Sequence, residues 1–125
     1  ARHLRGIPHV LRVNYSGLPD DDQKDLVAKY LPDGVGTILS FLVDGDYSNV
    51  RRIIDAVRLF TYIPNIGDAR SLIVDPARIT HREVPARFRE DAGVSDNLIR
   101  LSIGLEDSAD LIADLDQAIA AGYED

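Results

Sequence analysis

Asn97-Leu98-Ile99-Arg100-Leu101-Ser102-Ile103-Gly104-Leu105-Glu106 is the clearest strand-forming run in the chain, and its reading sets the fold. With the two-residue period of a strand, Ile99, Leu101, Ile103 and Leu105 fall on one face and Leu98, Arg100, Ser102 and Gly104 on the other. The first set builds a core. The second sets a cation among small residues, so the Arg100 guanidinium has open space along its own side of the sheet. Its planar fork of donors suits a carboxylate or phosphate held through two bonds, a geometry that the point charge of Lys does not reproduce. The competing reading is a structural ion pair with one of the many acidic residues.

Working outward, Thr37 to Val43 is nearly continuous in apolar character and reads as a strand covered on both faces. Leu11 to Tyr15 forms a short edge strand that stops at Ser16-Gly17-Leu18-Pro19, and Ser71 to Asp75 forms another that Pro76 ends. Asp20, Asp21 and Asp22 favour a helix N-terminus, with an apolar stripe of Leu26, Val27, Tyr30 and Leu31 before Pro32. A second helix runs from about Ser48 to Phe60 on Val50, Ile53, Ile54 and Val57. Ile63 to Asp68 is a loop, Ile79 to Arg82 a short extended piece, and Val84 to Asp91 a short helix with Pro85 in its first turn. Asp107 and Ser108 open a last helix whose face is Leu111, Ile112, Leu115, Ala118 and Ile119. The expected fold is α+β, a mainly antiparallel sheet of about four strands with helices packed on one face. Arg100 and Ser102 lie on the other face, which another domain or subunit is expected to cover.

At 125 residues the chain is the size of one domain. Fourteen Lys plus Arg against 21 Asp plus Glu, a net charge of -7, argue against a nucleic-acid or anionic-membrane surface. No apolar run is long enough to span a membrane and no signal-peptide core follows the N-terminus, so a cytoplasmic location is the simplest expectation. The absence of cysteine removes disulfides, thiolate metal sites and cysteine nucleophiles. His3, His9 and His81 are too scattered for a metal cluster, and three consecutive aspartates cannot converge on one ion from a helix start. Gly34 and Gly36 precede a strand rather than a helix and make a poor phosphate loop. His81 has no nucleophile spaced to form a triad, so a structural hydrogen bond is expected of it. The chain opens on Ala1-Arg2-His3 and has no methionine, and it reads as a piece of a longer polypeptide.

Three ordered runs carry a resemblance to a known family: Asn65-Ile66-Gly67-Asp68-Ala69-Arg70-Ser71-Leu72-Ile73-Val74-Asp75-Pro76-Ala77, then Thr80-His81, then Ala92-Gly93-Val94-Ser95-Asp96-Asn97 leading into the Arg100 strand. They resemble the C-terminal domain of the trans-sulfuration (Cys/Met metabolism) pyridoxal-phosphate enzymes, and the similarity extends over most of the chain. The Asn65-Ile66-Gly67-Asp68 version resembles that of O-acetylhomoserine sulfhydrylases; cystathionine synthase- or lyase-type members are the alternative. The resemblance implies that Arg100 holds a substrate α-carboxylate, that Asn65 lines the same pocket and that Thr80 supports the arginine. It also implies a transferase of methionine biosynthesis that makes homocysteine from O-acetylhomoserine and sulfide. On this reading residues 1–125 are a single C-terminal domain, the cofactor's lysine and phosphate cradle lie in a larger N-terminal domain, and the parent is a homo-oligomer. No catalytic, cofactor-binding or metal-binding residue is assigned within this chain, which alone is expected to be inactive and to hold no cofactor. Asp75 and Ile79 depart from the family pattern. A stand-alone small-molecule-binding or interaction module, anchored by Arg100, is the reading from a different class.

Overall fold

Along β2 (Ile38–Val43), Leu39, Phe41 and Val43 are buried while Ile38, Ser40 and Leu42 are only half-buried, so one face of the sheet is core and the other is not. The computed structural model describes residues 1–124. In it β2 pairs antiparallel with β1 (Val10–Asn14) on one side and with β5 (Leu98–Ser102) on the other. Next to β5 lies β4 (Leu72–Val74), also antiparallel, and β3 (Thr61–Tyr62) closes the far edge parallel to β4. The order is therefore β1-β2-β5-β4-β3, with the Arg100 strand at the centre. Over one face pack α2 (Tyr47–Ala56) and α4 (Ser108–Ala121), whose Val50, Ile53, Leu111, Leu115 and Ile119 meet Phe41, Val43, Ile73, Ile99 and Leu101. The α+β architecture with its mainly antiparallel sheet is as the sequence predicts.

The differences have local causes. A fifth strand, β3, has only two residues, too few to show a period. The second helix ends at Ala56 rather than Phe60, because the backbone amides of Arg58, Leu59 and Phe60 leave the helical ladder and donate to the Asp114 carboxylate at 2.8–3.3 Å. Gln117 then satisfies the carbonyl of Ala56, one of the orphan acceptors at that helix end. In α1 (Lys24–Tyr30) the predicted stripe is not core: Leu26, Tyr30 and Leu31 are exposed. Nor do the three aspartates cap it directly. Asp20 is held by two bonds from Arg5, and Asp21 accepts from the amide of Gln23, the residue at the cap position. Ile79 to Arg82 forms turns rather than an extended piece, pulled round by amides that bond back to Asp75 and Pro76. The short helix is α3 (Ala86–Asp91), with Pro85 at its cap.

Asp114 is thus the joint between α4 and the end of α2. Burial acts against its charge, but the amides of Leu59, Arg58 and Phe60 together with Gln117 outweigh it and hold the carboxyl below its ordinary range. A group whose folded pKa is lowered adds stability above its unfolded value, and that stability is lost as pH falls through the folded value. Asp114→Asn is expected to cost about 1.5–3 kcal/mol in urea unfolding at neutral pH. Its stability should also fall less than the parent's between about pH 5 and pH 2; parallel pH profiles for the two proteins would contradict the role given to Asp114.

Candidate functional site

Arg100 sits at the middle of β5, directly opposite Ser40 on β2 and Val74 on β4. Residues paired this way share a sheet face, so the row Asn14, Ser40, Arg100, Val74 runs across the face that carries no long helix. Among the described residues Arg100 makes no ion pair with any acid, and its Nε is buried without a hydrogen-bond partner. Structural pairing, the competing expectation, is thus not how the described residues use this arginine. The arginines of the neighbouring segments are engaged elsewhere: Arg70 grips Asp68 with two bonds of 3.0–3.1 Å, and Arg78 and Arg89 share Asp96. The Arg70 contact draws the half-buried Asp68 carboxyl down to about 2.

Two segments flank the arginine. On the Ser102 side, the loop that follows β3 comes over the sheet, and the amide of Gly67 reaches the Ser102 hydroxyl at 3.4 Å. This loop holds Asn65, whose side-chain oxygen accepts from the amide of Ile66 and shapes the turn. Gly104 does not leave open space as its size suggests. A Cβ there would stand 2.3 Å from the carbonyl oxygen of Ala69 and 2.6 Å from the amide nitrogen of Ser71, so the small residue admits the loop backbone. Leu105, assigned by alternation to the core face, is exposed instead, because β5 ends at Ser102 and its amide turns to the Ala69 carbonyl.

On the Leu98 side, Ala77 and Val94 pack against Leu98 and the half-buried Leu42. Thr80 belongs to this segment. Its hydroxyl faces the Pro76 carbonyl and, at 2.8 Å, the Nδ1 of His81, the structural hydrogen bond expected of that histidine. No hydrogen bond joins Asn65 or Thr80 to Arg100 among the described residues. The fold places their segments on either side of the arginine without linking the three side chains directly.

Sequence reading missed the two contacts that fix these flanks. Glu106 accepts from both the amide and the hydroxyl of buried Ser71 at 2.8 Å, and the same hydroxyl accepts from the Gly104 amide. The Ser71 amide foremost, joined by its hydroxyl, lowers the Glu106 pKa. At the other end of β4, buried Asp75 accepts from the Tyr62 hydroxyl, and burial followed by this bond pushes the Tyr62 pKa up. Partners 35 residues apart leave no periodic trace; the one available hint was two polar residues, Ser71 and Asp75, bracketing an apolar strand.

The described residues place an arginine without a carboxylate partner at the centre of a small α+β sheet. Residues 1–120 match the family described as Cys/Met metabolism PLP-dependent enzyme, and the chain belongs to that family. It is 39% identical over 113 residues to O-acetyl-L-homoserine sulfhydrylase 1 of Thermus thermophilus, covering 90% of this chain and 27% of that one. With mouse cystathionine gamma-lyase the identity is 40% over 123 residues, 98% of this chain and 31% of the other. A Campylobacter jejuni crystal structure, assigned as an O-acetylhomoserine (thiol)-lyase with N'-pyridoxyl-lysine-5'-monophosphate at position 205, superposes with a TM-score of 0.90 at 42% identity, covering 96% of this chain and 28% of that one. The chain thus spans between a quarter and a third of the length of these proteins. The family uses pyridoxal phosphate, and the residues described here do not fit the group itself. Lys24 and Lys29, the only lysines, are both solvent-exposed on α1, whereas an imine-forming lysine is activated by desolvation or a neighbouring cation.

Gly104→Ala tests the flank. It is expected to lower stability by about 1–3 kcal/mol through overpacking against backbone and to speed hydrogen exchange at the Ser71 and Leu105 amides. Gly6→Ala, where a Cβ meets nothing within 4 Å, serves as the control; equal behaviour of the two variants would show that the loop is not held through Gly104.

Proposed function

We propose that this chain is the C-terminal, carboxylate-binding domain of a PLP-dependent O-acetylhomoserine sulfhydrylase, which makes homocysteine from O-acetylhomoserine and sulfide. The observation that carries this reading is the buried, unpartnered Nε of Arg100 on the helix-free face, between segments fixed by Ser102, Gly104 and Leu98. A half-buried guanidinium without a carboxylate is an unfavourable arrangement that an incoming anion relieves. The Asn65-Ile66-Gly67-Asp68 loop and the sulfhydrylase relatives favour this member of the family, and similar identity to cystathionine gamma-lyase supports a lyase as the second reading.

In the proposed reaction pyridoxal phosphate supplies the electron sink for carbanion chemistry. The part of this chain is to bind and orient. Arg100 holds the α-carboxylate in two bonds and so fixes the direction of the α-amino group, while Asn65 lines the pocket and the Thr80 segment backs the arginine. The lysine and phosphate cradle belong to an N-terminal domain of the same polypeptide, and the parent is a homo-oligomer. The exposed stripe of Leu26, Tyr30 and Leu31 supports a partner surface on this domain.

Two measurements on the full-length polypeptide test the assignment. Turnover of O-acetylhomoserine with sulfide should exceed cleavage of cystathionine; the reverse order selects the lyase. Arg100→Lys keeps the charge but loses the fork, and should lower kcat/KM about 10- to 100-fold, or roughly 1.4 to 2.8 kcal/mol. Thermal stability should hardly move, since the core face holds Ile99 and Leu101 instead. An unchanged specificity constant, or an unfolded variant, would make Arg100 a structural residue.

A further inference from the structure

Arg100 has unlike neighbours across the sheet. On the β4 side stands buried, apolar Val74, and on the β2 side Ser40. Directly opposed side chains have their Cβ atoms about 4.5–5.5 Å apart, so polar company within the row can come only from the Ser40 side. Ser40 in turn accepts a hydrogen bond at 3.1 Å from the carboxamide nitrogen of Asn14, its partner on β1. A serine hydroxyl has one proton to give and two lone pairs to offer. With one lone pair taken by Asn14, the proton remains, and it bonds to no group among the described residues. Arg100 cannot accept it, because a guanidinium carries donors only. The Ser40 hydroxyl and the Arg100 Nε thus belong to paired residues on one sheet face, and neither donor has an acceptor among the described residues.

From this geometry we infer that Asn14 and Ser40 form a second, neutral arm of the carboxylate site. The inference rests on the reading of Arg100 as the carboxylate clamp and extends it. Ser40 donates its proton to one oxygen of the carboxylate that Arg100 holds. Asn14, through its bond to Ser40 Oγ, fixes the hydroxyl rotor so that the proton points along the row toward the arginine. Ser40 is a substrate-binding residue, and Asn14 a positioning residue that acts through it. Asn14 also lines the open groove along the free edge of β1, beside Arg12, Tyr15 and Ile38, so its far side remains accessible to solvent. The arrangement distinguishes a carboxylate from a neutral carboxamide, since the amide NH₂ would place a third donor against Ser40 and Arg100.

The test is the affinity of the full-length holoenzyme for L-homoserine and for L-homoserinamide, measured by titration calorimetry alongside thermal midpoints. The parent should prefer the carboxylate. Ser40→Ala should weaken homoserine binding about 10-fold and leave homoserinamide within about twofold, while Ser40→Thr, which keeps the hydroxyl, restores binding. Asn14→Ala should weaken it about threefold, and Asn14→Asp more, because a carboxylate there captures the Ser40 proton and repels the substrate anion. If Ser40→Ala lowers the midpoint sharply, the comparison of Asn14→Asp with Asn14→Ala decides. Homoserine affinity unchanged in the Ser40 and Asn14 variants but lost in Arg100→Lys would overturn this inference and leave the clamp standing. Affinity unchanged in all of them would overturn both.

Discussion

The structure depends on the two-residue period of β5 at the centre of the sheet. Ile99 and Leu101 are fully buried beneath α2 and α4, and that fixes Arg100 on the opposite face whatever its own preference. A one-residue slip would drive a guanidinium into the helix layer, so the hydrophobic burial that stabilises the fold also sets the direction of the charge. Strands on both sides hold this register through five pairs with β2 and three with β4. The proposed site is therefore built on the central strand of the sheet, which suits a role in orienting a small substrate.

Electrostatics around the arginine is local. The chain carries a net charge of -7, so its general field does not attract anions. Cations of the neighbouring segments are engaged in place, Arg70 by Asp68, and Arg78 and Arg89 by the single carboxylate of Asp96 that they share. The carboxylate affinity proposed for Arg100 therefore rests on close, directional contacts rather than on a diffuse positive surface. Such contacts favour a planar anion over any nearby charge.

How far the sequence reveals this depends on the range of each interaction. The helix α4, the loop from Ile63 to Asp68 and the side of the sheet that carries Arg100 follow from local period and breakers, whereas β2 and β5 form where strands are expected but β2 is buried on one face only, not both, and β5 stops at Ser102, short of Glu106. The end of α2 does not, because Asp114, more than fifty residues away, takes the amides that would have continued it. Smallness at Gly104 is visible in sequence but its meaning is not: the residue admits the Ala69 to Ser71 backbone instead of leaving room for the arginine. The exposed stripe of α1 shows the same limit from the other side, since amphipathic spacing marks a surface to be covered without saying which element covers it. Of the residues proposed for the site, the position of Arg100 was legible, while Ser40 was hidden until the register placed it opposite.

The most direct measurement of the central claim is the proton resonance of the Arg100 side-chain Nε–H in full-length protein labelled with ¹⁵N-arginine, followed as homoserine is added. The account predicts that in free protein this proton is slow to exchange yet lacks the downfield shift of a strong hydrogen bond, and that saturation with homoserine moves it downfield while the Nε–H signals of Arg70 and Arg51 stay in place. A resonance already shifted downfield in free protein and insensitive to homoserine would show that Arg100 has a permanent partner, and would contradict the account.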